Sequence, residues 1–118
     1  MDLKELIKLQ KKFDQKHNWI PNSTKETIEY INKDLIGLFG EIGEFSNIVK
    51  KINLFHERNS NGKYNDKIQI LINSLKEEVV DSFIYLTRLV SYLNIDLEKE
   101  YFEKLSKNEL KYKEFETD

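Results

Sequence analysis

The sequence predicts an all-α protein: a four- to five-helix bundle with two long central antiparallel helices, oligomerising through helix faces. Three observations carry this reading. Apolar residues recur at steps of three and four through two long segments, the spacing of a helical packing stripe. Proline occurs once and glycine four times in 118 residues, too few breakers for a strand-and-turn architecture. No segment alternates apolar and polar residues in the period-two manner of a half-buried strand.

The elements follow in chain order. Leu3, Leu6, Ile7, Leu9 and Phe13 mark an amphipathic helix over about residues 2–17. Pro21 stops any helix there, and Asn22, Ser23 or Thr24 can cap the next one. The first long seam is Ile28, Ile31, Leu35, Leu38, Ile42, Phe45, Val49 and Ile52. The polar stretch 60–66 reads as the one plain loop. A second seam follows at Ile68, Ile72, Leu75, Val79, Ser82, Leu86, Leu89 and Leu93. That segment also carries Val80, Phe83, Ile84 and Val90 on other faces, so it needs more than one neighbour. Asn94 to Asp96 breaks it, and Asp96 can cap a last helix with Leu97, Tyr101, Phe102 and Leu105 inward. At roughly 1.5 Å per residue the two central helices run about 40–50 Å each. Rods of that length leave apolar faces spare in a chain this short, and self-association as a two-fold dimer, or a dimer of dimers, is the expected remedy.

Composition bounds the function classes. The chain is one domain, residues 1–118, long enough to bury a core without staples. It has no cysteine, which excludes a disulfide framework and a thiolate metal site. A net charge of −2 gives no global pull toward nucleic acid or an anionic membrane. No apolar run approaches the roughly 20 residues that span a bilayer. Met1-Asp2-Leu3-Lys4-Glu5 lacks the apolar core of a signal peptide, so a cytoplasmic location is the expectation.

Chemistry concentrates in two acidic pairs. Glu41 and Glu44 lie three residues apart in the first seam, and Glu78 and Asp81 three apart in the second. Positions i and i+3 share a helix face, so each pair points two acids the same way. Ile42 and Phe45 flank the first pair, Val79 and Ser82 the second. Acids that close to a packing stripe are costly unless something offsets their charge. If the faces converge, oxygen-only ligands suit a hard ion such as Mg²⁺. The alternative is two solvated faces on highly charged helices, since 34% of the chain is charged. A di-iron bundle needs Glu-x-x-His on two helices, and neither His17 nor His56 follows a glutamate by three.

Other residues gather around this core. Gly37, Gly40 and Gly43 all fall inside one expected helix and weaken it by roughly 3 kcal/mol in total. They serve either close helix packing or space beside Glu41 and Glu44 for a ligand. Tyr85 stands one turn from Asp81 on the same face. Lys104, Asn108 and Lys111 share one face of the last helix. Such a stripe is either solvated or, facing an acidic metal site, grips a polyanion. Trp19, the one tryptophan, is either a hydrophobic cap or a stacking surface for a nucleobase.

Taken together, Gly40-Glu41-Ile42-Gly43-Glu44, Glu78-Val79-Val80-Asp81 and Asp81-Ser82-Phe83-Ile84-Tyr85-Leu86 resemble the MazG-type all-α nucleoside triphosphate pyrophosphohydrolases, which include dCTP pyrophosphatases. Phe13 and Trp19 at their six-residue spacing, and Lys104, Asn108, Lys111 and Tyr112, extend the resemblance over about residues 9–112. The resemblance implies that Glu41, Glu44, Glu78 and Asp81 ligate Mg²⁺, with Mn²⁺ as a substitute, and carry catalysis. It implies phosphate contacts from Lys104, Asn108, Lys111 and Tyr112, and places Trp19 and Tyr85 near sugar or base. The implied reaction cleaves the α–β phosphoanhydride of a (deoxy)nucleoside triphosphate to a monophosphate and pyrophosphate, serving nucleotide-pool control. Two alternatives accompany it: a non-catalytic nucleotide-sensing or helical interaction module, and an enzyme acting on phosphoribosyl-ATP. The chain departs from the pattern in the longer gap from Glu44 to Glu78, in Lys113 where a proline is usual after the final tyrosine, and in Gln10 where some members place a base-contacting histidine.

Overall fold

The computed structural model describes residues 1–117. It contains four helices: α1 (Leu3–Lys16), α2 (Thr24–Glu57), α3 (Asn65–Tyr92) and α4 (Leu97–Lys111). Single 3₁₀ turns lie at Ser60–Gly62 and Lys113–Phe115, and no strand occurs among the described residues. The all-α class and the four-helix count stand. Both central helices are continuous, and at about 1.5 Å per residue they span roughly 50 and 40 Å.

Each helix start carries a polar cap where the sequence offers one. Asp2 accepts from the Glu5 amide while the Glu5 side chain accepts from the Asp2 amide, a complete capping box. Ser23 caps α2 by accepting from the Glu26 amide, and Asp96 caps α4 by accepting from the Lys99 amide. Asparagine ends two helices. Asn18 and Asn94 both adopt left-handed backbone (φ 60° and 51°). The Asn18 amide donates to the Gln15 carbonyl and the Trp19 amide to the Asp14 carbonyl. Asn94 and Ile95 repeat the pattern onto Ser91 and Val90. These are paired Schellman turns, which satisfy carbonyls the helix end would otherwise leave bare. In the first, Trp19 folds back within 6.0 Å of the Phe13 ring, the apolar contact that accompanies this turn.

Helices α2 and α3 form an antiparallel hairpin. Tyr30 meets Tyr92, Asp34 pairs with Arg88, Gly37 abuts Tyr85, Glu41 neighbours Glu78, and Phe55 meets Tyr64. One index falls as the other rises. The predicted seams supply this interface: Leu38, Ile52 and Ile68 are buried, and Ile31, Leu35, Phe45, Val49, Ile72, Leu75 and Leu89 half-buried. Helix α1 packs on α3.

The expectation for the last helix is corrected. Leu97 is half-buried, but Tyr101, Phe102 and Leu105 are exposed, Tyr101 and Phe102 lining an open cavity beside α1. The reason is that α4 runs along neither α2 nor α3 and touches chiefly the 3₁₀ turn that follows it. Seam residues Ile28, Ile42, Val79, Leu86 and Leu93 are also exposed, as are Ile36, Phe39, Val80 and Phe83 on the flanks. The chain exposes 9577 Å², against about 6,800 Å² for a compact monomer of its mass. Its radius of gyration is 19.1 Å, where about 13.5 Å is usual for this length. No helix among the described residues is long and apolar enough to cross a membrane.

Candidate functional site

The antiparallel register brings the two acidic pairs to the same level of the hairpin. One carboxylate oxygen from each of Glu41, Glu44 and Glu78 lies within 4.8 Å of the others. Glu41 and Glu78 are half-buried between α2 and α3, while Glu44 sits at the exposed edge. Glu41 Oε2 and Glu78 Oε2 are buried without a hydrogen-bond partner. Two ionised carboxylates are acceptors only, so neither can satisfy the other.

The electrostatic consequence falls on Glu78, whose carboxyl is pushed up to about 7. The chief cause is the approach of the Glu41 carboxyl, which favours the protonated form of Glu78; burial and the charges of Glu41 and Glu44 add to it. A proton is one way to relieve three converging acids. A cation is the other.

Asp81 stands apart from this group. It is exposed on α3, in a shallow depression with Lys76, Glu77 and Val80, and is absent from the converging set. Three positions along a helix leave a rotation of roughly 60°, so with Glu78 turned into α2 the Asp81 side chain falls on the flank. The structure therefore unites three of the four expected ligands.

The glycines divide between their two uses. A Cβ on Gly37 would lie 2.5 Å from the Tyr85 hydroxyl, so Gly37 exists to let that ring lie on the α2 backbone. Gly40 and Gly43 have nothing within 4 Å of a Cβ and leave open space beside the acidic group.

Tyr85 and Trp19 both lie near Arg88. The Arg88 guanidinium sits 5.5 Å from the Trp19 ring and 5.8 Å from the Tyr85 ring. Trp19 also stacks on His17, with centroids 4.8 Å apart. Arg88 Nη1 is 3.5 Å from Asp34 Oδ1 and its Nε 3.6 Å from Asp14 Oδ2. Both aspartates are buried. Burial is the main force raising the Asp14 carboxyl, with Gln10 and Arg88 opposing it. For Arg88, burial works against the charge, but Asp34, Tyr92 and Asp14 outweigh it and the group stands above its usual range. Burial and then Asp34 push the Tyr92 phenol up to about 12.

Comparison with protein-family models, curated proteins and solved structures gives no match.

The α4 residues are placed elsewhere. Lys104, Lys111 and Tyr112 are exposed, Asn108 is half-buried, and Lys111 Nζ lies over the Tyr112 ring at 5.2 Å. Among the described residues, no α4 lysine pairs with Glu41, Glu44, Glu78 or Asp81. The sequence reading missed Asp14, Asp34 and Arg88. A signal was present: Arg88 is one of two arginines against seventeen lysines, and it interrupts the largely apolar stretch from Val79 to Leu93.

Proposed function

We propose that this chain is a divalent-cation-dependent (deoxy)nucleoside triphosphate pyrophosphohydrolase, cutting the α–β phosphoanhydride. The observation that carries the proposal is the convergence of Glu41, Glu44 and Glu78 with two buried, partnerless carboxylate oxygens. Such an arrangement is costly to the hairpin, and local rules break where function requires it. The donor set is oxygen-only and anionic, which fits Mg²⁺, or Mn²⁺ in its place.

Glu41, Glu44 and Glu78 would hold the ion, which when bound neutralises phosphate oxygens and lowers the pKa of water. Asp81, outside the converging set, is the carboxylate left to take a proton from the attacking water. Open space at Gly40 and Gly43 leaves room for phosphates beside the acids. Trp19 and Tyr85 form the nucleoside end. Lys104, Asn108, Lys111 and Tyr112 bind the phosphate tail, with α4 of one copy reaching a second copy, in a homodimer or dimer of dimers. The support for that arrangement is the unpacked α4 together with about 2,800 Å² of exposed surface beyond that of a compact monomer. Obligate homodimers commonly bury 2,000–5,000 Å² in total, roughly half from each chain.

The test is pyrophosphate release from a panel of dNTPs, NTPs, damaged nucleotides and phosphoribosyl-ATP, with and without Mg²⁺. Glu41→Gln is expected to abolish release and leave the fold intact. Thermal stabilisation by Mg²⁺ and a non-hydrolysable nucleotide, with no release from any substrate, would instead assign a sensor.

A further inference from the structure

Helix α1 docks in an unusual way. Its apolar residues Leu3, Leu6, Leu9 and Phe13 are 39–51% exposed, Ile7 is half-buried, and the one residue of α1 that is buried is a charged one, Asp14. What ties the end of α1 to the hairpin is thus an ion triad, Asp14–Arg88–Asp34, with one member from each of α1, α3 and α2. Gln10 Nε2 donates to Asp14 Oδ1 at 3.0 Å and holds that carboxylate in place.

A buried triad of this kind is a poor way to gain stability, because desolvation consumes most of the Coulombic gain. Its value lies in geometry. A guanidinium is planar: its edge takes carboxylates while its faces take aromatic rings, which a lysine ammonium cannot do. Arg88 stands among both kinds of neighbour, with Asp14 and Asp34 at ion-pair distance and the Trp19 and Tyr85 rings within 6 Å of its guanidinium carbon. Each ring is also held from a second side. The Trp19 backbone is tied to Asp14 by the Schellman turn, and Tyr85 lies against Gly37.

We infer that Arg88 is a positioning residue: paired with Asp14 and Asp34, it sets the Trp19 and Tyr85 rings as one aromatic unit about its guanidinium. The triad fixes where the guanidinium stands, within 6 Å of both rings, while Phe13 and His17 hold Trp19 from its own end of α1. The further step, that this unit receives the nucleoside, rests on the proposed function.

The experiment uses the full chain and its single tryptophan. Arg88→Lys keeps the charge and loses the plane. The triple variant Arg88→Met, Asp14→Asn, Asp34→Asn removes the triad without stranding a buried charge. Both are expected to retain the wild-type helical circular dichroism. In the ligand-free proteins, Trp19 emission shifts to the red and acrylamide quenching rises. In turnover, KM for the nucleotide rises about tenfold, the loss of one base–aromatic contact, while kcat holds, because the rings bind ground and transition states alike. Unchanged Trp19 emission and quenching in Arg88→Lys would overturn the inference, and that variant decides alone if the triple variant does not fold. Absence of turnover in the wild type would count against the proposed function only, since the Trp19 readout needs no substrate.

Discussion

Alanine scanning of three glycines on one helix separates packing from open space within a single element. Gly37, Gly40 and Gly43 are all interior to α2, and Ala is worth about 1 kcal/mol over Gly in such a position. At Gly40 and Gly43 a Cβ meets nothing within 4 Å, so the full gain of about 1 kcal/mol is expected from each substitution. At Gly37 the same Cβ would stand 2.5 Å from the Tyr85 hydroxyl and 2.6 Å from Cε1. Normal carbon contact begins near 3.5 Å, so the ring must retreat by about 1 Å. Tyr85 cannot swing aside cheaply, because Arg88 lies over the ring. Overpacking of this kind costs about 1–3 kcal/mol, which cancels or exceeds the helix gain. Gly37→Ala should therefore sit about 1–3 kcal/mol below Gly40→Ala, a difference of about 4–12 °C in Tm for a chain of this length. The assay is thermal unfolding by circular dichroism in metal-free buffer, at one protein concentration. If Gly37→Ala melts with Gly40→Ala or above it, Tyr85 does not lie on the α2 backbone, and the geometry of the aromatic unit is wrong.

Three further outcomes are expected. Because the folded Glu78 carboxyl stands at about 7, above its ordinary 4.5, its contribution to stability is complete below pH 4.5 and lost as pH rises through 7. Metal-free protein should lose stability across that window, and Glu78→Gln should flatten the loss. Millimolar Mg²⁺ should restore wild-type stability above pH 7 and do nothing for Glu78→Gln; equal Mg²⁺ stabilisation of both would remove the cation from the acidic group. Asn18→Ala and Asn94→Ala each force alanine into left-handed backbone and should cost about 1 kcal/mol, while the glycine variants should match or exceed the wild type in a urea titration. Light scattering should show an assembly larger than one chain, and replacing Tyr101 and Phe102 with serine should shift it toward monomer.

The sequence alone determined the helices, because their determinants are local. Steps of three and four, the polar caps at Asp2, Ser23 and Asp96, and the single proline act within a turn or two of the chain. The two seams even specified the hairpin, since each stripe can be buried only against another. Local rules also named the acids, but not their arrangement. Whether Glu78 or Asp81 turns inward depends on a rotation of about 60° fixed by how α3 seats on α2, and that rotation brought three acids together and left the fourth outside. The division of the glycines, Gly37 under a ring and the others in the open, has the same origin. Farthest from local reach was the Asp14–Arg88–Asp34 triad, whose members lie on three helices and meet only when those helices pack. Charges so placed look solvated in sequence, because desolvation is a property of the neighbours a residue acquires, not of the residues beside it.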